Sequence, residues 1–277
     1  MEAIKVRITK IMSTILKYIV VGLFAMIMLF PFYWMLIGAF KTSNEIYQLP
    51  PTFIADFTNF TNFIDAFHVA PFGNYLLNSL VVVVLNTLFS TFLVVLASYG
   101  LILMEQKYRT IILSISAILM AIPFELLILV NYETIIKFNL YNTLWALIIP
   151  FIANIFYLNI LTRRFEQFPK TYFASAQIEG ISKWKYLWRI LVPNTFSTIA
   201  VIILLNAISS WNSFVWPKYV IIDEALRTLP FGLYMFVTET SSKPELIMAA
   251  SLILITPMIL LYIFLKKYII RGFSNTK

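Results

Sequence analysis

The chain has 277 residues, 60% of them apolar and only 12% charged, with a formal net charge of +8. Soluble globular proteins run at about 45–50% apolar and about 25% charged, which argues against a water-soluble enzyme; a disordered chain would be poor in apolar residues. With no cysteine and a single histidine, His68, there is no basis for a disulfide, an iron–sulfur cluster, a thiol nucleophile or a multi-histidine metal site.

Crossing a bilayer as a helix takes about 20 mostly apolar residues. Six stretches meet that length, roughly Tyr18–Phe40, Tyr75–Met104, Ile111–Val130, Tyr141–Leu161, Ser197–Trp216 and Ile247–Ile269. The first follows a basic start (Lys5, Arg7, Lys10), as a secretory signal would. Its apolar run is longer than a signal's and no small-x-small cleavage site follows, so it reads as a retained span. Pro31, Pro123, Pro150 and Pro257 fall inside spans and are expected to kink them. The expected class is an all-α polytopic membrane protein of six transmembrane helices.

With the N-terminus inside, sixteen of the 21 Lys and Arg fall on the inner side and five (Lys41, Lys137, Lys218, Arg227, Lys243) on the outer side. This is a strong positive-inside bias, with both basic termini cytoplasmic. Topology thus accounts for the +8 charge without nucleic acid. The basic inner segments also favour anionic headgroups. The inner connection Glu105–Arg109 is short, while Lys41–Asn74, Thr162–Val192 and Pro217–Leu246 are long. His68 lies in the first outer loop and reads as a surface residue. No inverted repeat, low-complexity segment or soluble domain is visible.

The inner loop over 162–192 carries the strongest signal. Thr171–Glu179 is helix-forming, and Gly180 is a natural stop. Ser182 can cap a second helix, in which Trp184, Leu187, Trp188 and Leu191 form one apolar face. Pro193 is expected to mark the turn into span five. The second helix would lie on the inner membrane surface. The first would project into the cytosol, its small residues Ala174, Ser175 and Ala176 permitting close approach by another protein. A basic amphipathic loop that merely seals the interface is the alternative.

Ala174-Ser175-Ala176-Gln177-Ile178-Glu179-Gly180, with Leu191-Val192-Pro193 beyond it, resembles the coupling motif of binding-protein-dependent ABC importer permeases. That motif is typically Glu-Ala-Ala, three residues, Gly, then an apolar stretch ending in Leu-Pro. Further stretches resemble the carbohydrate branch, the maltose-type permeases. They are Pro31-Phe32-Tyr33-Trp34, Phe40-Lys41-Thr42, Asn78-Ser79-Leu80, Ala97-Ser98-Tyr99, Ser210–Pro217, Leu226–Leu233, Met248-Ala249-Ala250-Ser251 and Tyr268–Gly272. The ordered set covers nearly the whole chain. It departs from the family at Ala174, where the glutamate thought to help anchor the loop to the ATPase is usual, at Ser175 for alanine, and at Glu179 for aspartate.

The resemblance implies a type I ABC importer permease fold, with residues 1–277 as a single transmembrane domain. It implies a permease subunit that moves a sugar or oligosaccharide into the cell across a bacterial plasma membrane. The expected partners are a second homologous permease, two cytosolic ATPase subunits and an extracellular solute-binding protein. The chain has no Walker A stretch or other phosphate cradle. No cofactor is therefore expected in it, and ATP and Mg belong on the ATPase. Tyr172, Phe173, Ala174, Ser175, Ala176, Glu179 and Gly180 are the expected ATPase-coupling residues.

For the substrate path, Glu125 is the only acid inside an apolar stretch; such a residue is a functional candidate, or is solvated at a span end. Asn154 and Asn159 in span four, and Asn206, Ser209, Ser210 and Asn212 in span five, could bond sugar hydroxyls or bond between helices. Trp211 could stack on a sugar or sit in the interfacial belt. No catalytic or metal-binding set is expected: there is no helical HExxH and no paired intramembrane carboxylates, which disfavours a membrane-embedded enzyme. A secondary transporter would want more intramembrane acids than Glu125, and would leave the amphipathic loop without a purpose. Within the importer class, the alternative substrate is a non-sugar solute such as a glycerol phosphodiester.

Overall fold

A computed structural model describes residues 2–239 and 243–274, with side chains described over 11–238, 243–264 and 266. Among these residues every regular element is helical. The helices are α1 (Glu2–Ala39), α2 (Ser43–Ile46), α3 (Thr61–Val69), α4 (Phe72–Leu103), α5 (Gln106–Leu119), α6 (Ile128–Lys137), α7 (Trp145–Ile148) and α8 (Ile155–Glu166). They continue with α9 (Lys170–Ile178), α10 (Lys183–Tyr186), α11 (Val192–Asn194), α12 (Phe196–Trp211), α13 (Val215–Val220), α14 (Leu229–Glu239) and α15 (Pro244–Ser274).

Residues 11–39, 72–103 and 244–264 are long and apolar enough to cross a membrane alone. Three bent pairs qualify when each is taken as one span, which brings the described total to six. Span three is not the continuous helix expected over Ile111–Val130. The helix stops at Leu119, a 3-10 turn (Phe124–Leu127) follows, and the chain resumes in α6 after an 83° bend. Pro123 sits at the break, where it donates no N–H and disfavours helical geometry in the residue before it. Span four divides likewise: α7 and a 3-10 turn containing Pro150 end before Asn154, which caps α8 after a 44° bend. In contrast, α1 and α15 run through Pro31 and Pro257. The connection expected over Glu105–Arg109 shrinks to Met104 and Glu105, with Arg109 inside α5.

The chain divides into two compact units. In the first, residues 1–70 with 235–253, the end of α1 is stapled by its following loop. Buried Asn62 donates to the carbonyls of Ala39 (2.9 Å) and Lys41 (2.7 Å). Lys41 is itself buried, donates to the Thr52 carbonyl and lies over the Trp34 ring. Thr42 and Glu45 form a capping box around α2; the Thr42 N–H and hydroxyl hold the Glu45 carboxyl below its usual pKa. His68 is exposed in α3.

In the second unit, residues 71–234 with 254–277, α4 packs along both α12 and α8, and α8 also packs on α5. Its core joins Val94, Val95 and Tyr99 of α4 to Tyr157, Leu161 and Phe165 of α8, and to Ile199 and Ile202 of α12. Lipid tails are as apolar as these side chains, so close packing and interhelical hydrogen bonds hold such helices together. Asn159, buried, supplies one of those bonds, donating 2.9 Å to Ser116 of α5.

Candidate functional site

Two features of the second unit have functional character. One is a cavity of about 320 Å³, within the range that holds small ligands. Its wall includes Val82 and Asn86 of α4, Phe124 and Glu125 of the 3-10 turn, Asn154, Tyr157 of α8, Asn206, Ser209 and Ser210 of α12, Asn212 to Pro217, and Thr228. The breaks in spans three and four bring these groups together. The first turns Phe124 and Glu125 into the wall, and the second places Asn154 there, where its side chain accepts from the Tyr157 N–H at 3.1 Å. Irregular backbone at membrane depth is tolerated where it lines a cavity.

The cavity's polar groups are only partly satisfied within the chain. Asn86 Nδ2 donates 3.3 Å to Ser210 Oγ. Asn86 Oδ1, Asn206 Nδ2 and Thr228 Oγ1 are buried without a hydrogen-bond partner in the chain. Leaving such atoms unpaired costs about 1–3 kcal/mol each. An orphaned acceptor, an orphaned donor and a hydroxyl around one space suit a ligand whose own hydroxyls both give and take protons.

Of the expected path residues, Glu125, Asn154, Asn206, Ser209, Ser210 and Asn212 all line this cavity. Asn159 faces α5 instead. Trp211 is 2% exposed, and its indole N–H donates to the Leu254 carbonyl at 3.2 Å, so its ring is neither in the cavity nor in an interfacial belt. Helix α12 ends at Trp211, short of the expected Trp216, and the chain turns through Asn212–Phe214 into α13. Asn86 and Thr228 also line the cavity and were not expected there. Asn86 carried the signal already applied to Glu125, a polar residue inside an apolar span; Thr228 lies in an outer loop and gave none.

The second feature is the loop over 162–192. Helix α9 ends in a Schellman turn: Ile181 N–H donates to the Ala176 carbonyl (2.9 Å) and Gly180 N–H to the Gln177 carbonyl (3.1 Å). Gly180 adopts φ +71°, a left-handed conformation that glycine enters without steric penalty. Ser182 then caps α10, its hydroxyl accepting from the Lys185 N–H at 3.3 Å. Beyond α10 the ladder opens into a π-turn over Leu187–Leu191. Leu187 and Leu191 are buried with Tyr186, and Trp184 is exposed with its ring edge to face against Trp188 at 5.7 Å. Helical structure continues through Pro193 to Asn194, and the 79° bend into α12 falls at Thr195 rather than at the proline.

The two arms of the loop are anchored differently. Ala176 is buried, and the Phe173 and Tyr186 rings meet edge to face at 5.0 Å. Ala176 therefore packs within the chain, while Tyr172, Ala174, Ser175 and Glu179 are exposed. Tyr99 of α4 donates 2.8 Å to the Lys183 carbonyl, and Phe92 of α4 stacks on Trp188 at 6.0 Å. Arg109 of α5 pairs with Glu166 of α8 at 2.6 Å. The same helix, α4, thus carries Asn86 at the cavity and Tyr99 at the loop.

Residues 94–275 match the family described as binding-protein-dependent transport system inner membrane component, well over half of the chain. The chain belongs to that family. As an inner membrane transport component it is a multi-pass transport subunit rather than an enzyme. It is 31% identical over 257 residues to the arabinooligosaccharides transport system permease protein AraQ of Halalkalibacterium halodurans, covering 90% of this chain and 91% of that one. It is 26% identical over 255 residues to the protein of the same name in Bacillus subtilis, covering 90% of each. Its fold matches a chain of a solved bacterial ABC transporter involved in the import of the acidic polysaccharide alginate, with TM-score 0.79, 20% identity, and 93% and 96% of the two chains covered.

Proposed function

We propose that this chain is one permease half of an ATP-driven importer that carries a sugar or oligosaccharide into a bacterial cell. The family and the arabinooligosaccharide relatives support the importer role. The observation that carries the sugar assignment is the cavity: amides and hydroxyls line a space inside otherwise apolar helices, and three of their polar atoms have no partner in the chain. Glu125, Asn154, Asn206, Ser210 and Asn212 are the proposed path residues, joined by Asn86 and Thr228. Trp211 is left out because it is consumed in helix packing.

In this reading residues 1–277 act as one transmembrane domain with both termini cytoplasmic. The second permease completes the path, a binding protein delivers the sugar from outside, and two ATPase subunits hold ATP and Mg. The loop over 162–192 is the lever. Tyr172, Ala174, Ser175 and Glu179 present its outer face to the ATPase, while Phe173, Ala176 and Gly180 set its shape. Movement of α9 would reach α4 through the Tyr99–Lys183 bond and the Phe92–Trp188 stack, and α4 would carry it to the cavity wall at Asn86.

The test is a mild-detergent purification of the tagged chain from its own cells, with mass identification of what accompanies it. Recovery with a different permease and an ATPase supports the reading. Recovery alone, or as a homodimer without an ATPase, overturns it.

A further inference from the structure

The charge of the cavity wall points further than its hydroxyls do. Among the described lining residues Glu125 is the one with a formal charge, and no lysine, arginine or histidine lines the space. Two cations sit next in sequence to lining residues, and neither lines the space. Lys218, beside Pro217, has its ammonium 3.3 Å from the Tyr234 hydroxyl and 4.8 Å from that ring's centroid. Arg227, beside Thr228, pairs through one terminal nitrogen with Glu224 at 3.5 Å and lies over the Phe231 ring, while its Nε is buried without a partner in the chain. The rest of the wall is amide, hydroxyl and apolar surface.

We infer that the cavity is charge-selective: the Glu125 carboxylate, unmatched by any cation in the wall, admits uncharged or amine-bearing saccharides and turns away uronates, sulfonates and phosphodiesters. Glu125 is exposed, so an anion approaching this wall meets a like charge acting through partly screened surroundings and finds no cation among the lining residues to offset it. A neutral saccharide meets Asn86 Oδ1 as an acceptor, Asn206 Nδ2 as a donor and the Thr228 hydroxyl as either. Glu125 would then hydrogen-bond a sugar hydroxyl or pair with an amine. The inference rests on this cavity being the sugar path, and it disfavours a glycerol phosphodiester as the cargo.

The chain has no cysteine, so a Ser210→Cys reporter in the assembled importer reports on this wall alone when labelling is read on this chain. The probes are two methanethiosulfonates of similar size, one bearing a trimethylammonium and one a sulfonate. The expected result is a preference for the cationic reagent about tenfold larger with Glu125 present than in the Glu125→Gln background, after division by each reagent's rate with free thiol. Labelling by both reagents, with the same preference in the two backgrounds, overturns the charge inference and leaves the sugar path standing. Labelling by neither, while the thiol reacts after unfolding, overturns the path and the charge inference together.

Discussion

The loop's turn at Gly180 offers the sharpest perturbation, because its cost can be separated into parts. A Cβ added there meets no atom within 4 Å, so a larger side chain causes no collision. What remains is backbone strain at φ +71°, about 1–2 kcal/mol for an ordinary L-residue in the left-handed region. That is about a tenfold bias against the turn. Gly180→Ala should carry this cost alone, and Gly180→Val more, since a β-branched residue is a stronger outlier at positive φ. Gly180→Asn should be nearly free, because asparagine tolerates the conformation. The strain acts on the two bonds that reverse the chain, from Ile181 to Ala176 and from Gly180 to Gln177. A weakened turn loosens the lever without touching the cavity or the ATP site. In vesicles holding the complete importer, ATP hydrolysed per sugar accumulated should rise several-fold in Gly180→Val and stay near the parent value in Gly180→Asn. Unchanged stoichiometry in Gly180→Val, or equal impairment in Gly180→Asn, would show that the left-handed turn at Gly180 does not set the coupling.

Three other outcomes follow from the packing. Asn206→Ala should slow transport while leaving the amount of assembled importer unchanged, because Asn206 Nδ2 bonds nothing in the chain; Asn159→Ala should instead lower the assembled amount, by removing the bond to Ser116. Quantifying purified complex beside uptake rates separates the two. Tyr99→Phe removes one hydrogen bond to the Lys183 carbonyl, worth about 1 kcal/mol; sugar-stimulated ATP hydrolysis should fall while the midpoint of thermal unfolding moves little. Gly232→Ala should destabilise the folded chain by about 1–3 kcal/mol, since a Cβ there would overlap the Tyr75 ring, and a lower unfolding temperature would show it.

Much of the plan was legible because it rests on long-period signals. The apolar runs located spans one, two and six to within a few residues over most of their ends, and the α1 helix alone extends well beyond its run. The Gly180 stop and the Ser182 cap were legible because each follows from one residue's local chemistry. The breaks inside spans three, four and five were not, since hydropathy measures the length of an apolar run and not its continuity. Pro123 and Pro150 marked two of the breaks, but a proline alone does not tell a break from an uninterrupted helix, since α1 and α15 run through Pro31 and Pro257.

The wall of the cavity was legible where helical period applies. Asn206, Ser209 and Ser210 are spaced i, i+3 and i+4 within α12, which places them on one face. Trp211 lies five residues from Asn206, on a different face, and that spacing argues for its packing role. The same offset separates Asn154, which lines the cavity, from Asn159, which bonds Ser116. Tertiary partners decided the rest: no spacing within the sequence brings Asn86 or Thr228 to the same space as Glu125.

ATP-driven import is tested by uptake into lipid vesicles holding this permease, its partner permease and the ATPase, with the binding protein and a radiolabelled neutral oligosaccharide outside. Accumulation that requires ATP enclosed in the vesicles, and that ignores an imposed proton gradient, is the result expected of an ATP-driven importer half. Accumulation that follows the proton gradient and persists without ATP would contradict it.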